Sequence, residues 1–219
     1  NRTSSDIAKF EGYIGAGINR LSLGAQSFNS LELKRLGRAH SAEDVLKAYR
    51  FAKEAGFDNI GLDLIYGIPG QSVESFSYSL AMAIEIAPEH ISLYGLTYEK
   101  GTPLEAALKA GEISKAAESA ERDMYLLAIE RLKGAGYSHY ELSNFARPGK
   151  ESKHNSIYWT GRPYIGLGAG AHSFTPGSGS ERWWNIPGVD AYMRSVEERG
   201  FGREGGEMLD LEAQKLEAV

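Results

Sequence analysis

Apolar residues recur along this chain with two alternating periods, and the alternation outlines its elements. Short runs rich in β-branched and aliphatic side chains cover residues 19–26, 59–66 and 90–97, with helical spacing between them. In the first intervening stretch Ser41, with Asp44 three residues on, predicts a capped start; Val45, Tyr49 and Ala52 recur on one face, and Gly56 ends the pattern. A second helix is predicted over 72–87, burying Phe76, Leu80 and Ile84 and stopping before Pro88. Strands alternating with helices in this order give an α/β fold, a parallel sheet with two right-handed βαβ crossovers. Further helices are expected at 103–110, at 118–133 with Tyr125, Leu126, Ile129 and Leu132 as the apolar stripe, and at 188–199. Residues 137–186 differ: dense in Gly, Tyr, Trp, His, Asn and Arg, they read as a strand followed by long, specific loops of the kind that carry function.

The second run is the most informative. Residues 59–71 set a single carboxylate, Asp63, among apolar neighbours and are followed by Gly67-Ile68-Pro69-Gly70. An ionised group removed from water without a partner is disfavoured by several kcal/mol. Asp63 is therefore expected at a strand end, supplied with donors by a loop or ligand, beside a glycine turn that lets backbone approach a bound molecule.

Composition narrows the function classes. The chain has 219 residues, 42% hydrophobic and 24% charged, with a net charge of -5 and no basic stripe, which argues against a nucleic-acid or anionic-membrane partner. No apolar run approaches the roughly 18 residues of a membrane span, and no signal peptide opens the chain, so the cytoplasm is the expected compartment. There is no cysteine, which excludes disulfides, cysteine-type zinc fingers and an iron-sulfur cluster ligated by this chain. A start at Asn1 without Met, and an end inside a helix-like pattern, suggest a segment of a longer protein. Three β/α units cannot close an eight-unit barrel, so a sheet edge is expected to stand exposed and to promote self-association.

Three constellations carry chemistry. Gln26 ends the first run, Asp63 lies in the second and Arg38 sits in Leu36-Gly37-Arg38-Ala39-His40. Together they offer partners for sugar hydroxyls and a ligand carboxylate, while a structural reading has Gln26 capping a loop and Arg38 paired with Asp63. In His154-Asn155-Ser156-Ile157-Tyr158-Trp159 a helix would set His154 and Tyr158 on one face, both capable of ligating iron, with Arg147 and Arg162 flanking; the plainer alternative is a loop cap and core packing. Gly166, Gly168 and Gly170 alternate, as where backbone passes close to backbone or a flat ligand, and His172 then stabilises that loop. Glu141, Ser143 and Asn144 are expected in one strand on the ligand side. His40, His90 and His139 read as structural.

Taken in order, the segments Gly17–Phe28, Leu36-Gly37-Arg38-Ala39-His40, Asp63–Gln71, Glu141-Leu142-Ser143-Asn144-Phe145-Ala146 and His154-Asn155-x-x-Tyr158-Trp159 closely resemble the radical S-adenosylmethionine (SAM) family of oxygen-independent coproporphyrinogen III oxidase-like proteins, in its heme chaperone branch. The resemblance implies part of a radical SAM partial TIM barrel. Residues 1–136 would form the C-terminal half of that barrel, 137–200 a family-specific strand and loop region with the His-Asn-x-x-Tyr motif, and 201–219 the start of a truncated C-terminal region. It implies SAM and a 4Fe-4S cluster as cofactors of the full-length protein, with Gln26 and Asp63 contacting the ribose, Arg38 the methionyl carboxylate and Ile65 the adenine. It also implies heme held by His154, Tyr158 or both and passed to acceptor proteins, a membrane-associated one among them, with no nucleic acid partner. The cysteine motif is absent, so the chain alone is expected to bind SAM weakly or not at all and to be catalytically inactive. The runner-up function is oxidative decarboxylation of coproporphyrinogen III.

Overall fold

A computed structural model of the chain describes residues 7–177, 179–210 and 212–213. It divides after Glu151 into two compact units. The helix-like pattern at the extreme C-terminus lies outside the described residues.

The first unit runs α1 (Ile7–Gly15), β1 (Leu21–Gln26), α2 (Ser30–Arg35), α3 (Ala42–Glu54), β2 (Ile60–Tyr66), α4 (Val73–Ile86), β3 (His90–Gly95), α5 (Pro103–Lys109), α6 (Glu118–Gly134), β4 (Ser138–Glu141) and β5 (Asn144–Ala146). The strands make one sheet of order β1-β2-β3-β5-β4, parallel across β1, β2 and β3 and antiparallel beyond. The caps are those the sequence announces. Ser41 and Asp44 form a reciprocal capping box on α3, Ser72 caps α4, and Ala87 closes α4 in the left-handed region ahead of Pro88.

Side chains alternate across each strand. Leu62, Leu64, Ile91, Leu93 and Phe145 enter a core completed by Phe76, Leu80, Met124 and Leu132 from the helices. The register sets Ser22 beside Gly61, Gly24 beside Asp63, Asp63 beside Ser92 and Ile65 beside Tyr94, so these residues share the opposite face. That face is partly open: Ser22, Gly24 and Tyr94 are exposed and Asp63 and Ile65 half-buried.

Several expectations are corrected. The buried stripe of α6 is Met124, Ala128 and Leu132, while Leu126 points outward, because the helix turns its i, i+4, i+8 row to the sheet. In α4, Ile84 is only partly buried and Ala83 takes the inner position. Glu141 and Asn144 do not share a strand; the chain turns between them and pairs β4 against β5, with Glu141 opposite Asn144. The short helices α1 and α2 go unannounced by the pattern.

The second unit runs α7 (Lys153–Trp159), β6 (His172–Thr175), β7 (Glu181–Asn185), α8 (Val189–Arg199) and β8 (Arg203–Met208). Its three strands form an antiparallel sheet, so part of what reads as long loop is a second, smaller sheet. Its strands are short and carry Gly, Arg and Glu between the aromatics, which weakens the period-2 signal. The Gly166–Gly170 segment passes against the backbone of this sheet: a Cβ on Gly166 would overlap the His172 carbonyl. His172 itself is an exposed strand residue whose ring lies 5.9 Å from that of Trp184, and it does not fasten the loop; Asn185 does, donating to the Gly168 carbonyl at 2.9 Å.

Candidate functional site

In the first unit, the rim at the C-terminal end of β1 is built around a strained residue. Gln26 has φ of 64°, and across it the Ser27 amide donates to the Ala25 carbonyl at 2.8 Å. An i to i+2 bond around a residue with positive φ is the sign of a γ-turn, a conformation that a side chain tolerates only when its surroundings enforce it. The Ala25 carbonyl also lies 3.2 Å from Nε2 of His40, which gives that histidine a structural place.

The turn folds the Gln26 side chain back onto its own strand. A Cβ on Gly24 would stand 2.6 Å from Nε2 of Gln26. Gly24 is the register partner of Asp63, so the Gln26 amide and the Asp63 carboxylate are brought to adjacent positions on the open face. Gly24 is a site residue that the sequence pattern passes over; the signal was a glycine two residues before a polar strand end.

Asp63 is not at a strand end. It is the fourth of seven residues in β2, half-buried, and its donor is Ser22 of the neighbouring strand, Oγ to Oδ1 at 2.8 Å. The parallel register supplies the partner that a loop or ligand was expected to supply. Ile65 follows two residues on along the same face, with Tyr94 next to it. Arg38 is exposed and makes no side-chain hydrogen bond or ion pair among the described residues, so the structural pairing of Arg38 with Asp63 is not formed. Gly24, Asp63 and Ile65 thus share the open face by register, the turn brings the Gln26 amide back onto Gly24, and Arg38 follows α2 on the connection from β1.

In the second unit, α7 sets His154 and Tyr158 one turn apart. The Tyr158 hydroxyl lies 2.9 Å from Nε2 of His154, with the rings edge to face and their centroids 5.2 Å apart. Ser152 caps this helix, accepting from the Asn155 amide. Tyr158 packs edge-on against Tyr164, with centroids 4.7 Å apart, and that contact fixes its ring. Both residues are exposed, as are Trp159, Ile165 and Leu167 of the same unit, so the core-packing alternative does not hold. Arg147 does not flank this pair as a free cation; it belongs to the first unit, donates to the Ala135 carbonyl at 2.6 Å and lies over the Tyr137 ring.

The family model described as the Radical SAM superfamily matches residues 1–83. That likeness to the radical SAM superfamily covers the first 83 residues of the chain. The sequence is 38% identical over 186 residues to the heme chaperone HemW of Bacillus subtilis, covering 85% of this chain and 48% of that protein. It is 36% identical over 207 residues to the mitochondrial radical S-adenosyl methionine domain-containing protein 1 of Danio rerio, covering 92% of this chain and 47% of the relative. The chain therefore spans about half the length of the curated relatives it matches. Among solved structures, coproporphyrinogen III oxidase (HemN) from Escherichia coli, a radical SAM enzyme, superposes with a TM-score of 0.77 at 24% identity, covering 95% of this chain and 50% of that one. The parallel α/β architecture expected of part of a radical SAM barrel is the observed one.

Full-length radical SAM proteins carry SAM and a 4Fe-4S cluster. The open face fits the first: an amide, a carboxylate and a branched aliphatic lie on adjacent strands. The chain does not fit the second. It has no cysteine, and no group of three His, Asp or Glu among the described residues could hold a metal ion. No helix among the described residues is long and apolar enough to cross a membrane.

Proposed function

We propose that this chain is the heme-binding and SAM-contacting part of a heme chaperone. The observation that carries the reading is the hydrogen-bonded His154 and Tyr158 pair on an exposed helix, amid exposed aromatic and aliphatic side chains. An imidazole on an apolar, accessible surface suits a ligand that is to be handed on, where a buried pocket would retain it. Either side chain would ligate the heme iron from this one helix face, and the exposed setting would leave the heme accessible to an acceptor protein, including one at a membrane. The bond to Tyr158 must break for Nε2 of His154 to ligate.

On the first unit, Gln26 and Asp63 would hydrogen-bond the ribose hydroxyls of SAM, Arg38 would pair with the methionyl carboxylate and Ile65 would lie against the adenine. SAM supplies a radical source when bound beside a reduced cluster; the residues of this chain bind and orient it. The cytoplasm is the compartment of this reading. β1 ends the sheet, and its outer edge is a template for pairing, so the isolated chain is expected to associate at high concentration; a sharp monomer in light scattering would refute that.

The decisive experiment is a heme titration followed by the Soret band, with wild type against His154→Ala. Weaker binding and a shifted band are expected, and an unchanged affinity and spectrum would remove the assignment. The oxidase reading is supported by fold likeness alone; assay of the full-length, cluster-loaded protein for protoporphyrinogen formation separates the two.

A further inference from the structure

Glu32 is a carboxylate in the first turn of α2, only 2% exposed. No cation partners it among the described residues. Instead three neutral donors converge on it: Ser27 Oγ at 2.6 Å, Gln71 Nε2 at 2.9 Å and Ser75 Oγ at 2.5 Å. A buried carboxylate persists only when its lone pairs are filled in this way.

The donors come from three different places. Ser27 follows Gln26 directly, and its hydroxyl also accepts from the Asn29 amide at 2.9 Å and meets Ser79 Oγ at 3.1 Å. Gln71 closes the Gly67–Gly70 turn, its Oε1 accepting from the Ile68 amide at 3.3 Å. Ser75 lies in the first turn of α4 and also accepts from Asn29 Nδ2 at 3.0 Å. One carboxylate therefore ties the loop after β1 to the loop after β2. The first loop begins directly after Gln26, and the second begins after Tyr66, one residue beyond Ile65.

We propose that Glu32 is a positioning residue for the SAM rim. Through Ser27 it holds Gln26 in the left-handed turn that lays its amide over Gly24 beside Asp63, and through Gln71 it fixes the glycine turn beyond Ile65. The strain at Gln26 is what makes the clamp necessary: a side chain at φ of 64° relaxes when the neighbouring residue is released. This role rests on the reading of the rim as a SAM site.

The test is a double-mutant cycle on SAM affinity, by equilibrium dialysis with the full-length, cluster-loaded protein, together with hydrogen exchange of the Ser27 amide in the absence of SAM. Glu32→Ala is expected to weaken SAM binding about tenfold, and to add only about threefold, through the remaining Gln71 arm, when Gln26 is already alanine. The Ser27 amide, which donates to Ala25, is expected to exchange faster, with the Leu62 amide unchanged. If Glu32→Ala fails to fold, Ser27→Ala removes the Ser27 bond to Glu32, with those to Asn29 and Ser79, while leaving the Gln71 and Ser75 bonds to Glu32 in place, and is read in the same way. Affinity within about twofold of wild type overturns the role, as does an undiminished loss in the Gln26→Ala background. Unchanged affinity in Gln26→Ala alone overturns the SAM reading of the rim itself, whatever the Ser27 amide does.

Discussion

Ser22 donates a 2.8 Å hydrogen bond from its hydroxyl to Oδ1 of Asp63 across the parallel pairing of β1 and β2. The bond answers the question raised by a carboxylate in an apolar strand: one acceptor is satisfied by the neighbouring strand, and the rest of the carboxylate faces the open side of the sheet. Ser22→Ala is expected to destabilise the fold by about 1 kcal/mol, because a half-buried carboxylate loses a donor that water only partly replaces. Urea denaturation checks this. A Ser22→Ala protein as stable as wild type would mean that water fully solvates Asp63.

The hydroxyl of Tyr158 occupies the nitrogen that His154 would offer to iron. Tyr158→Phe removes that competitor and leaves the imidazole in place, so heme affinity is expected to move by less than about threefold, whereas His154→Ala is expected to lose about tenfold or more. Soret titrations of the two variants side by side decide the ligand. An equal or larger loss in Tyr158→Phe would make the tyrosine the ligand.

His90 starts β3 with no exposure, its Nε2 2.8 Å from the Tyr140 hydroxyl. Burial, reinforced by the nearby Arg20 charge, pushes its pKa from 6.5 down to about 4. The unfolded chain therefore takes up a proton between pH 6.5 and 4 that the folded chain refuses, and stability falls as the pH drops through that window. The contribution is on the order of 3 kcal/mol by the bottom of the window and absent above it. Denaturation midpoints measured from pH 7 to 4 are expected to fall less steeply in His90→Gln; parallel curves would refute the assignment.

Leu132 is fully buried between α6 and the sheet, and Leu126 on the same helix is 55% exposed. Leu132→Ala is expected to cost about 2–5 kcal/mol through lost burial and a residual cavity. Leu126→Ala is expected to stay within about 0.5 kcal/mol. Thermal denaturation of the pair checks the orientation of α6, since similar losses would place Leu126 inside.

The strands and the long helices were legible because their signals are local. Ser41 and Asp44, Ser72, Ala87 before Pro88, and the apolar runs around Leu62 and Ile91 each act through neighbours within a few residues, so pattern and structure agree to within two residues for β1, β2, β3, α3 and α4. The face of α6 was misread at Leu126 because residues 124–129, Met-Tyr-Leu-Leu-Ala-Ile, are apolar all round the helix and leave the inward row open between neighbouring choices. Only packing on the sheet chooses between them. The turn between Glu141 and Asn144 has no glycine or proline to announce it, and β6, β7 and β8 are short strands with polar and glycine positions where a buried strand would carry aliphatics.

Gln26, Arg38, Asp63, His154 and Tyr158 stood out in the chain as chemistry-bearing residues, Ile65 and the role of each came only with the family resemblance, and the helical spacing of His154 and Tyr158 was enough to put them on one face. What the chain by itself determined was identity, order and local period. The tertiary structure alone decided that Asp63 takes its donor from Ser22, 41 positions away, that Arg38 does not pair with it, and that Gln26 bends back over Gly24 while the next residue, Ser27, bonds to the buried Glu32. Register, a left-handed φ and a buried carboxylate's choice of donors depend on which strands and loops meet in space, and contacts between residues far apart in sequence leave no period behind.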